Sequence, residues 1–338
     1  MSPTKSSSQA AALLIKTALI PVLTLAVALG VSAASSEPDR GDAASQAAWL
    51  PVGTSTAAPT DTPSPTATFT PIPTNTPTRQ PTSTPTATPT PSLTPTSTPR
   101  PRPRPDGVRR SAPVPILMYH YISTPPARAD RLRLDLSVAP DDFAAQMSWL
   151  AEHNYHSITL TDLYYYLAVG APLPDQAIVL TFDDGYVDHY ENAFPILQKH
   201  HFVGTFFVLA GPADAASPRY MTWDMIAEMS QAGMDIEAHG RDHVDMRRRP
   251  DDYLYFQIAG ARQAIEAHTG KPAPFYAYPS GQYDPHLLRF LDQYDFWMAV
   301  TTKAGKAHTL DRPLELTRVR IRGSDSLKQF AARVSGGN

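Results

Sequence analysis

The sequence predicts a single barrel-like α/β domain of about 220 residues, set behind a long disordered linker. Three observations carry this expectation. From Pro113 onward, short apolar runs of strand character alternate with amphipathic helical stretches, the pattern of parallel β/α units. Thr/Pro/Ser repetition fills the chain from about 54 to 105, and such a composition has too little apolar surface to offset the entropy of ordering. The 338 residues include 35 prolines and no cysteine. The folded part is therefore shorter than the whole, and it holds neither a disulfide nor a thiolate ligand.

Read in order, Lys5 and Lys16 precede and open an apolar run over 17–31, followed by small residues from Ser32 to Ser36. Val31 and Ala33 fit the small-x-small preference of a cleavage site, while the run contains Pro21 and is short against the roughly 20 residues of a span. Residues 1–34 read as an export signal, or as a membrane anchor if it stays uncleaved. Residues 35–111 read as the disordered linker, whose Thr/Pro/Ser stretch over 54–105 reaches roughly 150 Å in polyproline II geometry. Arg100, Arg102, Arg104, Arg109 and Arg110, interleaved with prolines, read as its solvated end. Residues 112–338 hold the domain, which is expected to be a monomer.

Within the domain, 115–119 is a buried strand, followed by a helix that Asp141 or Asp142 can cap, with Phe143, Met147 and Leu150 on one face. Further strands are expected at 177–182, 203–209, 234–238, 275–278, 298–301 and 318–321. Helices are expected at 190–200, 223–232, 252–268, 285–292 and 326–334. In a parallel barrel the reactive groups sit at the carboxyl ends of strands, where Asp183, Asp184 and His239 fall. The net charge of −3 provides no basic face for phosphate neutralisation, which excludes a nucleic-acid partner.

Two motifs carry chemistry. The run Ile178-Val179-Leu180-Thr181-Phe182-Asp183-Asp184-Gly185 is an apolar strand ending on two carboxylates and a glycine. Neighbours at a strand end point different ways, so one aspartate can hold a metal while the other faces substrate. His239-Gly240-Arg241-Asp242-His243 places two imidazoles four apart, just past a strand. Two histidines and one carboxylate leave a coordination position open for water, the pattern of catalytic zinc. Such a metal lowers the pKa of its water to about 7.

These residues, Thr181-Phe182-Asp183-Asp184-Gly185 with His239-xxx-His243, resemble the polysaccharide deacetylase (NodB-like) family of carbohydrate esterases. The resemblance covers roughly 113–334 and implies a distorted (β/α) barrel that removes N-acetyl groups from a sugar. It assigns Asp183 as general base and Asp184, His239 and His243 as ligands of a divalent metal. Zinc is the expected ion, with cobalt, nickel, manganese or iron as alternatives. Phe275-Tyr276-Ala277-Tyr278-Pro279-Ser280-Gly281 resembles the family's third motif. It implies oxyanion and substrate roles for the Ser280 N–H and for Tyr278, but Ala277 stands where the base-orienting arginine belongs.

The family's late Leu-x-Ile-x-His segment is replaced by Leu316-Thr317-Arg318-Val319-Arg320-Ile321-Arg322, so the usual general-acid histidine is missing. The opening Leu117-Met118-Tyr119-His120 and the Phe-x-x-Tyr-Pro-x-Gly turn resemble the poly-N-acetylglucosamine subgroup, which implies His120 as the acid. An imidazolium suits protonation of a leaving amine. The expected substrate is an extracellular N-acetylglucosamine polymer, whether poly-N-acetylglucosamine, peptidoglycan or a chitin-like chain. A catalytically impaired glycan-binding head and an amidohydrolase of a non-sugar amide are the alternatives. Asp188, His189 and Tyr164-Tyr165-Tyr166 receive no role.

Overall fold

A computed structural model describes residues 100–336. The expected signal or anchor, and the linker up to residue 99, lie outside the described residues. Eight strands form: β1 (Ile116–Tyr119), β2 (His156–Ser157), β3 (Ala177–Phe182), β4 (Thr205–Val208), β5 (Asp235–Ala238), β6 (Phe275–Ala277), β7 (Met298–Ala304) and β8 (Leu316–Arg320). Ten α-helices accompany them: α1 (Arg131–Leu136), α2 (Pro140–Glu152), α3 (Leu160–Val169), α4 (Phe194–Lys199), α5 (Ala210–Asp214), α6 (Trp223–Gln231), α7 (Asp251–Leu254), α8 (Gly260–Thr269), α9 (Pro285–Gln293) and α10 (Leu327–Ser335). The spatial order β1-β8-β7-β6-β5-β4-β3 closes through a β1–β3 pairing into a seven-stranded parallel barrel. Closure leaves no edge exposed.

Side chains alternate in and out along each strand. Ile178, Leu180 and Phe182 point outward into the layer beneath the helices. Val179 points inward with Ile116, Phe207, Phe275, Met298, Val300 and Leu316. Several of these inward residues open their strands, so they fill the amino-terminal end of the barrel. Leu160, Leu163, Tyr164 and Leu167 of α3 pack against the same group and plug that end. Tyr164 is buried there, which is why the tyrosine triplet belongs to the fold. Trp297 lies against Phe275 and Tyr164 in the same plug.

Three local expectations change. Asp141 and Asp142 do not cap α2; Pro140 opens it and both aspartates lie in its first turn, where they favour the helix dipole. The two-residue β2 flanks β3 outside the ring and is too short to show a period in sequence. Residues 100–111, read as a solvated linker end, lie against the plugged end of the barrel. Arg100 pairs with Asp162 and Arg102 with Asp295, Arg109 pairs with Asp311, and Arg110 folds back on Asp106. The Asp106 N–H donates to the Ala168 carbonyl at 2.9 Å. Proline supplies no donor and fixes an extended path, so this strap is held mainly by its arginines.

Candidate active site

At the opposite, carboxyl-terminal end, the strand ends surround a cavity of about 430 Å³. Its lining includes His120, Asp183, Asp184, His239, His243, Tyr278 and Ser280, so every residue singled out from the sequence meets in one place. Asp183 is two per cent exposed, and its N–H donates to the Tyr119 carbonyl at 3.0 Å as the last rung of β1 on β3. Asp184 then turns into the left-handed region at φ +77°. Strain of this kind in a non-glycine residue needs support from its surroundings. Gly185 follows at φ +75°, where a Cβ would approach Val208 to 3.2 Å, so glycine is required. This reversal is what separates the two carboxylates.

Asp184 Oδ1 is buried and has no hydrogen-bond partner. It lies 3.2 Å from His239 Nε2 and 3.7 Å from His243 Nε2. His239 Nδ1 is 2.7 Å from the Ala277 carbonyl; a carbonyl only accepts, so Nδ1 carries a proton and Nε2 faces the cavity. A lone pair and a carboxylate at that separation require a cation between them, either a second proton or a metal. Donor atoms of all three residues lie within 4.8 Å of one another, and the carboxylate–imidazole set suits a zinc-like ion. These residues fit a divalent metal. Burial works to raise the Asp184 pKa, but His239 and the other imidazoles hold it well below the usual carboxylate range.

The partner of Asp183 is Arg318, which sequence reasoning did not identify. From β8, Arg318 Nη1 reaches Asp183 Oδ1 at 2.8 Å and Nη2 reaches Oδ2 at 2.6 Å, a bidentate fork. Its Nε donates to the Thr301 carbonyl at 2.9 Å, and Nη1 also donates to Thr181 Oγ1 at 3.0 Å. The guanidinium is fully buried and fixed on every side. Burial raises the Asp183 pKa, and Arg318 more than offsets it, keeping the carboxylate ionised. The guanidinium missing at Ala277 on β6 thus arrives from across the barrel.

His120 is 13 per cent exposed, with Nε2 3.9 Å from Asp183 Oδ2. Burial depresses its pKa to about 4. Its loop is held from below by residues without an assigned role. His189 Nε2 donates to the His120 carbonyl, Asn192 donates to the Ile122 carbonyl at 2.8 Å, and Ser123 donates to Asp188 at 2.6 Å. The Tyr278 hydroxyl donates to the Leu314 carbonyl at 2.9 Å, which commits it to the fold. Ser280 is exposed at φ +55° in the turn after β6. One wall carries Tyr121 stacked on Tyr186 with centroids 3.8 Å apart, and Tyr220 5.2 Å beyond.

The sequence profile of the family described as polysaccharide deacetylase matches residues 170–299, the stretch that holds Asp183, Asp184, His239, His243 and Ser280. The match places residues 170–299 in the polysaccharide deacetylase family. It is 28% identical over 225 residues to the polysaccharide-deacetylase-family protein YxkH of Bacillus subtilis, covering 67% of this chain and 77% of that one. It is 23% identical over 240 residues to the poly-β-1,6-N-acetyl-D-glucosamine N-deacetylase of Escherichia coli. That match spans 59% of this chain but only 36% of the larger enzyme. Among solved structures, the Streptococcus pyogenes deacetylase PplD in complex with acetate superposes with a TM-score of 0.61 at 27% identity, covering 68% of this chain and 99% of that one. The deacetylase thus has the barrel and enzyme class that its motifs imply.

Proposed function

We propose that this deacetylase is an exported, metal-dependent enzyme that removes N-acetyl groups from an extracellular N-acetylglucosamine polysaccharide. The observation that carries the reading is the Arg318–Asp183 fork beside the Asp184, His239 and His243 cluster in one cavity. It also answers one of the two departures that favour an inactive glycan-binding head, because β8 supplies the guanidinium absent at Ala277, while the late-motif histidine remains absent. Export rests on the signal-like residues 1–34 and the Thr/Pro-rich residues 35–99 that precede the described chain. No helix among the described residues is long and apolar enough to cross a membrane.

Asp184, His239 and His243 would hold the metal, which supplies Lewis acidity toward a water and the acetyl carbonyl. Asp183, ionised and oriented by Arg318, accepts the proton of the attacking water. The Ser280 N–H, in its left-handed turn, is the donor for the tetrahedral oxyanion. His120 is neutral before reaction because of burial. It becomes the acid by taking up a proton beside Asp183, then gives it to the leaving sugar amine as the C–N bond breaks. The tyrosine wall offers π faces to a pyranose ring.

Acetate release from peptidoglycan, chitin oligomers and β-1,6-linked N-acetylglucosamine, measured with metal-stripped and metal-restored protein, tests this reading. Release that requires added metal is expected from at least one polymer. Silence on all three, or release unaffected by stripping, rejects it.

A further inference from the structure

Inward-facing positions on β8 follow the strand period of two. Arg318 is spent on Asp183, and Arg320, one pleat nearer the mouth, lines the cavity with His120, Tyr121, Ser280 and Thr302. A guanidinium stays protonated at any physiological pH and cannot act as an acid, so Arg320 is a fixed cation beside the reacting centre. Its neutralisation is incomplete. Arg320 Nη1 is 3.4 Å from Asp135 Oδ2, and Arg322 Nε is 3.5 Å from Oδ1 of the same carboxylate. Compact pairs elsewhere in the protein look different: Arg333 grips Asp325 at 2.8 and 2.9 Å.

A third guanidinium, Arg133, lies 3.1 Å above the Tyr121 ring. Its Nε is buried without a partner, and its nearest oxygen contact is the Ser123 hydroxyl at 3.4 Å. One carboxylate therefore serves both Arg320, which lines the cavity, and Arg322 two residues on, and Arg133 adds a further positive charge behind the tyrosine wall. Arg320 and Arg322 remain half-exposed or partly exposed, with side chains at 31 and 50 per cent, where a substrate can reach them.

We propose that Arg320, with Arg322, binds an anionic substituent on a sugar next to the N-acetylglucosamine being deacetylated. The favoured substrate is then an acidic glycan bearing carboxylate or phosphate, and a neutral homopolymer is the poorer one. The inference rests on the deacetylase reading above and narrows its substrate. Guanidinium forks match both anions in geometry, and a charge-assisted contact of this kind is worth about tenfold in kcat/KM.

The test measures acetate release by the metal-loaded protein from three glycans: neutral N-acetylglucosamine oligomers, strands carrying N-acetylmuramic acid carboxylates, and phosphate-substituted strands. The readout is the ratio of kcat/KM on an anionic glycan to that on the neutral one. The wild type is expected to show a ratio of about tenfold on one anionic glycan, mainly through KM and diminished by salt. Which of the two it favours identifies the anion. Arg320→Gln should bring the ratio to about one, Arg320→Lys should retain part of it, and Asp135→Asn, which removes the competing carboxylate, should raise it. A wild-type ratio near one, or a ratio unmoved by both Arg320→Gln and Asp135→Asn, overturns the inference while leaving the deacetylase reading intact. A wild type silent on every glycan overturns both.

Discussion

Replacing Arg318 with alanine removes the cation that forks onto Asp183, a carboxylate with two per cent exposure. An uncompensated buried charge of this kind costs about 3–5 kcal/mol. The protein meets that cost partly by losing stability, about 10 °C in Tm for a domain of this size, and partly by protonating Asp183. With Arg318 gone, only the burial that raises the Asp183 pKa and the weaker effect of His239 and His120 remain. A protonated Asp183 accepts nothing from water, so kcat/KM for acetate release at neutral pH should fall by about 10²–10³, within the range ascribed to a general base. The acid limb of the pH–rate profile should move to higher pH, and activity should partly recover on the alkaline side. Arg318→Lys keeps the charge without the fork and should lie between the two. An Arg318→Ala protein with the wild-type pH profile refutes the positioning role, whatever its melting temperature.

Asp183→Asn should lower acetate release by about 10²–10⁴ while leaving one bound metal per chain by elemental analysis, whereas Asp184→Ala should lose both metal and activity. His308 is buried with Nε2 donating to the Val114 carbonyl at 3.0 Å, and burial lowers its pKa to about 4. The unfolded chain therefore takes up a proton near pH 6.5 that the native chain refuses until about 4, so stability falls as pH drops through this window, by about 3 kcal/mol at most. Denaturant melts between pH 7 and 4 should show this loss, and His308→Gln should flatten it. A chain beginning at Ser111 lacks the strap's ion pairs and its Asp106–Ala168 bond; its Tm should fall by about 2–5 °C, as a handful of exposed contacts implies. An unchanged Tm would show that the strap adds nothing.

Much of the site was legible in the sequence because it is local. The Asp-Asp-Gly corner terminates an apolar strand, the histidine pair follows another within five residues, and both announce themselves by position along the chain. Arg318 did not, because its fork onto Asp183 joins residues 135 apart in sequence and exists only once β8 closes on β1 and β1 on β3. A hint was present: Leu316, Arg318 and Arg320 share the inward face of a strand, and a buried position filled by arginine demands an acid. The strap escaped for a different reason. Proline and arginine read as solvated by composition, and composition says nothing about carboxylates such as Asp162, Asp295 and Asp311 waiting on the barrel. His189 escaped because its role is to hold a backbone carbonyl, which leaves no pattern in side-chain types.

The strap meets the barrel at its plugged end, and the catalytic cavity opens at the other. Tension applied through Arg100 therefore loads the α3 plug and the loops feeding the strands, leaving Asp184, His239, His243 and the Arg318 fork out of the line of force. Force entering at that pole is borne by the strap's ion pairs and the plug before it can reach the catalytic carboxylates.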